Sequence, residues 1–429
     1  MHHATEGRPL AARRIPRITL AAVALACAGA AQATNGYFPH GFGLKAKGMG
    51  GASIALAHDG FAGVNNPAAA LFAGSRMDVG AEIFRPYRDA QFVGQTPVVD
   101  SGRTAFLIPE FGYNARLSET LAVGLTVYGN GGMNTSYAPF PNGQNLLGGT
   151  GKLGVDLMQI IVAPTLAIQV AEGHALGVSP LLVWQRFEAY GLQGFAGMSS
   201  DPANLTNRGK DNSTGIGVRV GYMGKLGDRV TVGAAYSPRV RMGRFDKYRG
   251  LFAGAGDLDI PANYGVGVAL QLTPAWTLAL DATRIRYGGV PSIANGSLSQ
   301  VMAGQPLGAA SGPGFGWRDI SIVKLGVQWQ MDERWTLRAG VNKGGNPIRA
   351  QDAMFNILAP GVIREHVTFG ATYTPDKQTE WTFALWHGRR ETVVGPSVDF
   401  STNPPGVNPT GTRIGMHQNG FGVQYSRKF

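Results

Sequence analysis

One cysteine, Cys27, stands among 429 residues, which excludes an intramolecular disulfide framework and any site built from several thiolates. Long apolar runs are also missing: beyond residue 33 nothing approaches the roughly eighteen residues that a membrane-spanning helix needs. There is no G-x-S-x-G elbow, no phosphate-binding G-x-x-x-x-G-K-[ST] loop and no H-E-x-x-H zinc helix. Gly215-Ile216-Gly217 lacks the following helix of a dinucleotide site. His58 near Asp59, and His366 beside Glu365, read as ordinary polar residues rather than acid/base pairs. Catalytic residues, metal ligands and cofactors are therefore not expected. The net charge of +11 is spread along the chain without basic runs, so a nucleic-acid partner is not expected either.

The first residues carry Arg8, Arg13, Arg14 and Arg17 ahead of an apolar run from Ile18 to Ala31, then Ala31-Gln32-Ala33. A basic front, a short apolar stretch and an A-x-A site make a secretory leader spanning residues 1–33. A lipoprotein reading of Ala24-Leu25-Ala26-Cys27 is the alternative, but alanine stands where leucine is expected three places before the cysteine. Removing the leader removes Cys27 and leaves +8 of the net charge, since residues 1–33 hold four arginines and one glutamate.

Period-two alternation recurs in segments of the length a tilted membrane strand needs, about nine to eleven residues. Tyr264, Val266, Val268, Leu270 and Leu272 alternate with small or polar residues, as do Val323, Leu325, Val327, Trp329 and Met331. A soluble sandwich would alternate too, so the connections decide. Strands are expected near 76–85, 103–117, 120–130, 154–170, 174–187, 213–226, 228–243, 259–273, 275–286, 318–331, 333–344, 363–375, 379–391 and 412–429. Short turns then interleave strictly with long loops, sorting the two to opposite rims as in an outer-membrane barrel, with the loops extracellular. The expected fold is all-β: a fourteen-stranded antiparallel transmembrane barrel over 76–429, located in the outer membrane of a Gram-negative cell. Its surroundings would be outer-membrane lipid and lipopolysaccharide. Phe429 ends the last strand on the face of Phe421, Val423 and Tyr425, although Arg427 interrupts the pattern. Such an end suits recognition by barrel-assembly machinery, or simple anchoring at the interface.

Residues 34–75 do not alternate. They are rich in glycine and alanine, and about forty residues cannot form a stable domain without disulfides or metal. Packing inside the barrel as a plug would give them a core; a flexible periplasmic tail is the alternative. Within them Gly41-Phe42-Gly43-Leu44-Lys45-Ala46-Lys47-Gly48-Met49-Gly50-Gly51-Ala52, then Asp59 and Asn65-Asn66-Pro67-Ala68, resemble the start of the FadL/TodX family of outer-membrane transporters for fatty acids and hydrocarbons. Gly217 to Tyr222, Val232 to Tyr236, Gly316-Trp317-Arg318-Asp319 and Trp335 to Gly340 are similar to family segments. The resemblance implies a fourteen-stranded barrel with an N-terminal hatch, passive uptake of hydrophobic molecules, and sideways release beside a kinked strand. Gly48, Gly50, Gly51, Asn65, Asn66 and Pro67 form the hatch motif. Gly129 to Gly132 is a candidate for the kink, or an ordinary loop exit.

A fatty acid needs an apolar groove and a cluster of cations or amides for its carboxylate. Arg219, Lys324 and Arg338 fall on the lumen face of their strands, where they avoid the roughly 2–4 kcal/mol cost of facing lipid. They are candidate ligands, unless Glu82, Glu110 or Asp281 tie them into a structural network. Phe140, Leu146, Leu147, Phe195, Leu251 and Phe252 are candidates for the groove, unless they only pack the loops. Long-chain fatty acids lead as substrates, with aromatic hydrocarbons or alkanes next. A structural or adhesive barrel, or a barrel enzyme acting on lipids, is the competing class.

Overall fold

The computed structural model describes residues 35–399 and 406–429; the expected leader, its cleavage site and Cys27 lie outside them. Fourteen long strands close into one antiparallel barrel: β1 (Arg76–Phe92), β2 (Phe106–Arg116), β3 (Leu121–Asn134), β4 (Gly154–Ala171), β5 (His174–Tyr190), β6 (Asp211–Leu226), β7 (Val230–Ser237), β8 (Asn263–Thr273), β9 (Trp276–Ile285), β10 (Ile320–Gln330), β11 (Trp335–Gly344), β12 (Glu365–Tyr373), β13 (Thr379–Asp399) and β14 (Gly406–Lys428). Each pairs with its neighbours in sequence, and β1 closes the ring on β14 from Arg76↔Lys428 to Phe92↔Thr412. A two-residue strand, Val99–Asp100, adds to the loop end of β1.

Alternation sorts the faces. In β13 Trp381, Phe383 and Leu385 are exposed, whereas Thr382, Ala384 and Trp386 are buried. The outward apolar residues match lipid, while the inward ones include Thr368, Thr372, Gln418 and Gln424, as a lumen requires. Aromatic pairs mark the short-turn rim: Trp276 stacks on Trp329 at 5.3 Å, Trp335 meets Tyr373 at 4.9 Å, and Phe429 stacks on Tyr113 at 5.9 Å. Such girdles sit at the membrane–water interface. No helix among the described residues is long and apolar enough to cross a membrane.

Several strands outrun the sequence expectation. β1 continues to Phe92, β3 to Asn134 and β13 to Asp399, because the hydrogen-bond ladder persists beyond the apolar band whose alternation marks a strand. β7 stops early, at Ser237. Pro238 follows, and Val240 and Met242, expected in the strand, instead bridge to Ile260 and Gly215 as buried parts of the loop.

Residues 35–75 fill the lumen, with two single-turn helices, Leu44–Lys47 and Ala62–Asn65, and a 3-10 turn, Pro67–Leu71. Glycines of the wall let this segment's backbone press close. A Cβ on Gly340 would stand 2.2 Å from the Gly50 nitrogen, and one on Gly177 would stand 2.3 Å from the Ala68 nitrogen. Gly51 takes φ 84° with the His40 carbonyl against it, a conformation that disfavours any side chain. Overpacking of this kind costs about 1–3 kcal/mol. Gly340→Val is therefore expected to leave the barrel heat-modifiable on gels while exposing Lys45 and Lys47 to trypsin. An unchanged digestion pattern would contradict the close packing.

Candidate functional site

Four features of the lumen bear on what the barrel could hold and pass. The lowest is a set of buried charges that fixes the N-terminal segment. Lys47 lies between Glu82 on β1, at 2.5 Å, and Glu110 on β2, and Glu110 also accepts from the Gly43 N–H at 2.9 Å. Burial works against the Lys47 charge, but Glu110 and Glu82 hold its ammonium above the ordinary lysine value. Lys45 meets Glu380 of β13 at 2.5 Å. There burial, aided by Arg76, outweighs Glu380 and lowers the lysine to about 8. Burial, with Asp78 nearby, raises Asp59 to about 6. The Asp281 carboxylate accepts from the N–H groups of Ser53 at 2.8 Å and Ile54 at 3.0 Å.

The motif of Asn65, Asn66 and Pro67 acts in the same place. The Asn66 amide donates to the carbonyls of Ile54 at 2.7 Å and Tyr222 at 2.8 Å, and its oxygen accepts from the Ala68 N–H at 3.2 Å. Pro67 opens the 3-10 turn, and the Asn65 amide donates to the Phe42 carbonyl at 2.9 Å. Gly48 abuts Gly370 of β12, and Gly50 abuts the Val341 backbone.

The second feature is a central chamber of about 80 Å³. It brings together Arg219 of β6 and Lys324 of β10, with Phe38, Phe42, Tyr128, Ile161, Leu181, Val240, Ile260 and Ile322 around them. Arg219 donates to Asn263 at 2.9 Å and to the Asn65 carbonyl at 3.1 Å, leaving its Nε without a partner. Lys324 donates to the Gly51 carbonyl at 3.3 Å. Arg338 is not in the chamber: it bonds Gln328 at 2.9 Å and Thr372 at 2.7 Å. Among the described residues none of these three cations forms a salt bridge. Glu82 and Glu110 are taken by Lys47 and Asp281 by backbone amides, so the network foreseen for the lumen arginines belongs to the plug instead.

The third feature is a window in the wall. Pairing between β2 and β3 ends at Phe111↔Val127, although both strands continue toward the loops. Above that point β3 pairs with β4 alone and carries a bulge between Gly129 and Gly131. Gly131 takes φ 141°, and a Cβ there would stand 1.9 Å from the Tyr37 carbonyl. Gly129 to Gly132 is thus an irregular stretch of strand rather than a loop exit. Arg88 bounds the window on the loop side by donating to the Asn134 and Arg103 carbonyls. Phe42 packs edge-on against Tyr128 at 4.9 Å, and Tyr128 and Asn130 also line the chamber, so window and chamber adjoin.

The fourth feature is the loop cap. Leu146, Leu147, Phe195 and Phe252 are buried in one apolar cluster, with Phe140 and Leu251 packed on it. Phe252 meets Phe187 at 4.7 Å. Only Phe195 of the six lines an outer hollow of about 300 Å³, with Met198, Val301 and Leu307; the others close the mouth. A knot of Tyr37, Tyr287 and Trp317 was not foreseen: Tyr287 Oη donates to the Asn35 carbonyl at 2.5 Å and Trp317 Nε1 to Asn356 at 2.6 Å. Nor were the roles of Lys45 and Lys47, although two lysines inside a glycine- and alanine-rich segment are a visible signal.

His366 and Glu365 point to opposite faces. His366 Nε2 accepts inward from the Gln418 amide at 2.9 Å, while Glu365 pairs outward with Lys343 and Arg389. No group of three potential ligands among the described residues could hold a metal.

The solved structures like this one are barrels of the same kind. The Pseudomonas putida toluene transporter TodX is 21% identical, with a TM-score of 0.66 over 91% of this chain and 99% of that one. A Pseudomonas aeruginosa FadL homologue is 16% identical, with a TM-score of 0.70 over 92% and 100%. The Ralstonia pickettii toluene transporter TbuX is 18% identical, with a TM-score of 0.63 over 91% and 99%. No curated protein matches the sequence. The family described as outer membrane protein transport protein (OMPP1/FadL/TodX) matches residues 20–429. The chain therefore belongs to this family of outer-membrane transport barrels.

Proposed function

We propose that the barrel takes up long-chain fatty acids passively: substrate enters from the loops, rests in the central chamber, and leaves sideways through the window between β2 and β3. The observation that carries this reading is the chamber itself. Arg219 and Lys324 share it with apolar walls, and it adjoins the window. A carboxylate between these two cations would replace the weak contact of Lys324 and engage the free Arg219 Nε, while an acyl chain lies against Ile161, Leu181 and Ile260. Uptake of aromatic hydrocarbons or alkanes is the second reading. It is favoured by the likeness to solved toluene transporters, whose names speak of their own substrates.

Titration of the purified barrel with a fluorescent long-chain fatty acid separates the two. Lys324→Ala and Arg219→Ala should each weaken binding by roughly tenfold, the scale of one charged hydrogen bond. Arg338→Ala should leave it unchanged. Saturable binding insensitive to both chamber changes would remove the carboxylate site. A deletion strain that grows slowly on toluene but normally on oleate would favour the hydrocarbon reading.

Lys47 would act as the hatch's latch. Removing one partner of a buried ion pair costs about 3–5 kcal/mol, and Lys47→Met would take the cation from between two buried carboxylates, Glu82 and Glu110. Single-channel recordings in planar bilayers should then register frequent openings that the wild type lacks. Equal conductance in both proteins would rule out the latch.

A further inference from the structure

Above the apolar band, one arc of the outer wall turns cationic. On β11, β12, β13, β14 and β1 the continuous run of outward apolar residues reaches Val341, Val367, Leu385, Phe421 and Ile83, 40–52% exposed. The next outward position toward the loops on each strand holds Lys343, Glu365, His387, Asn419 and Arg85. Three carboxylates on or near this arc each hold two cations. Glu365 binds Lys343 at 2.8 Å and Arg389 at 3.0 Å. Asp89 binds Arg390 at 2.5 Å and Arg413 at 2.8 Å, and Asp319 binds Arg286 at 2.8 Å and Arg284 at 3.4 Å.

The burial within these triads is uneven. Asp89, Asp319 and Glu365 are 5%, 20% and 28% exposed, while Arg389 and Lys343 are 69% and 68% exposed. Each carboxylate thus sits behind its cations, orienting them and leaving guanidinium or ammonium hydrogens turned outward. Arg85 has no ion pair among the described residues; its guanidinium lies 5.7 Å over the Tyr87 ring, which stacks on His417 at 4.7 Å. The arc runs from β9 round to β1, seven adjacent strands, about 30 Å at the usual strand spacing. On the other half of the barrel loop-side cations stand in single pairs, Arg103 with Asp156 at 2.9 Å and Arg239 with Asp259 at 2.6 Å, while β5 offers Arg186 beside Glu188 and β6 offers Asn212 and Thr214.

We propose that this arc is a binding site for the phosphate groups of an acylated glycolipid of the outer leaflet, the lipid A portion of lipopolysaccharide. Its acyl chains would lie along the apolar band directly below. Arginine pairs phosphate in bidentate fashion, and basic clusters at a membrane interface hold anionic headgroups. The cluster of Arg85, Lys343, Arg389, Arg390 and Arg413 at the top of the hydrocarbon zone supplies both the charge and the depth that such a lipid requires. The arc also lies on the wall away from β3 to β6, so a lipid held there stands apart from most of that half of the barrel.

The test uses the full barrel in detergent, titrated with diphosphorylated lipid A and with the same lipid after dephosphorylation, bound lipid being read by native mass spectrometry. The wild type should prefer the phosphorylated lipid by about tenfold or more, the scale of one or two charged hydrogen bonds. Arg85→Gln, and the double change Lys343→Gln with Arg389→Gln, should each erode that preference, whereas Arg186→Gln should not. Arg85 holds no carboxylate, so its variant decides the matter if the double variant fails to fold. Equal binding of the two lipids, or indifference to both arc variants, would overturn the proposal. So would displacement by millimolar inorganic phosphate, which would mark a general anion site rather than a lipid site.

Discussion

In hydrocarbon every backbone N–H and C=O must find a partner inside the protein, and most of this architecture follows from that constraint. It forces the strands to close, and β1 pairs with β14 along the whole of β1 to do so. Closure with fourteen strands leaves a lumen too wide for wall side chains to fill, so residues 35–75 occupy it. Those residues bring their own backbone groups, which must be satisfied in turn. Asp281, Glu110, Asp78, Gln424 and Thr368 accept from backbone amides of the plug, and Asn66 serves two of the carbonyls it reaches.

The constraint is relaxed at one place, the stretch of β2 and β3 above Phe111↔Val127. Pro109 lies there and has no N–H to leave unpaired, the usual way an edge is made tolerable. Asn130 turns its amide to Gln159 at 3.0 Å, and Phe42 covers Tyr128 from within. A gap in a membrane wall is expensive unless something is gained by it, and the chamber behind it holds Arg219 and Lys324, neither of them in a salt bridge among the described residues. That coincidence of gap, chamber and plug ties the proposed route together. The carboxylates that hold the plug's lysines sit on β1, β2 and β13, and β2 is itself one edge of the gap, so on the proposed route movement of the plug would bear on the window.

The barrel was legible in the sequence because outward apolar residues and inward small or polar ones alternate, and because the turns fall into short and long sets. The ends of β1, β3 and β13 were not: β1 and β13 take up charged residues such as Arg85, Asp89, Arg389 and Arg390, and β3 ends in Gly131-Gly132-Met133-Asn134, so the apolar alternation stops while the ladder runs on. Lumen cations could be recognised from alternation alone, but which of them meet could not. Arg219 and Lys324 are brought together across the lumen, and Arg338, on the same kind of face, is drawn to Gln328 and Thr372 instead. The glycines of the plug motif were visible as a motif, whereas their counterparts on the wall, such as Gly177 and Gly340, acquire meaning only through contacts distant in sequence. The apolar loop residues Phe140, Leu146, Leu147, Phe195, Leu251 and Phe252 could be read as a groove or as loop packing, and only the fold shows them gathered in one cluster at the mouth.

The most direct test of the proposed route is to remove the bulge. Deleting Asn130 would restore the register of β3, allowing it to continue pairing with β2 across the window. Uptake of a labelled long-chain fatty acid into cells expressing this variant should fall to the level of cells lacking the barrel, while surface abundance and the binding of substrate to purified protein persist. Uptake at the wild-type rate would contradict lateral release through this window.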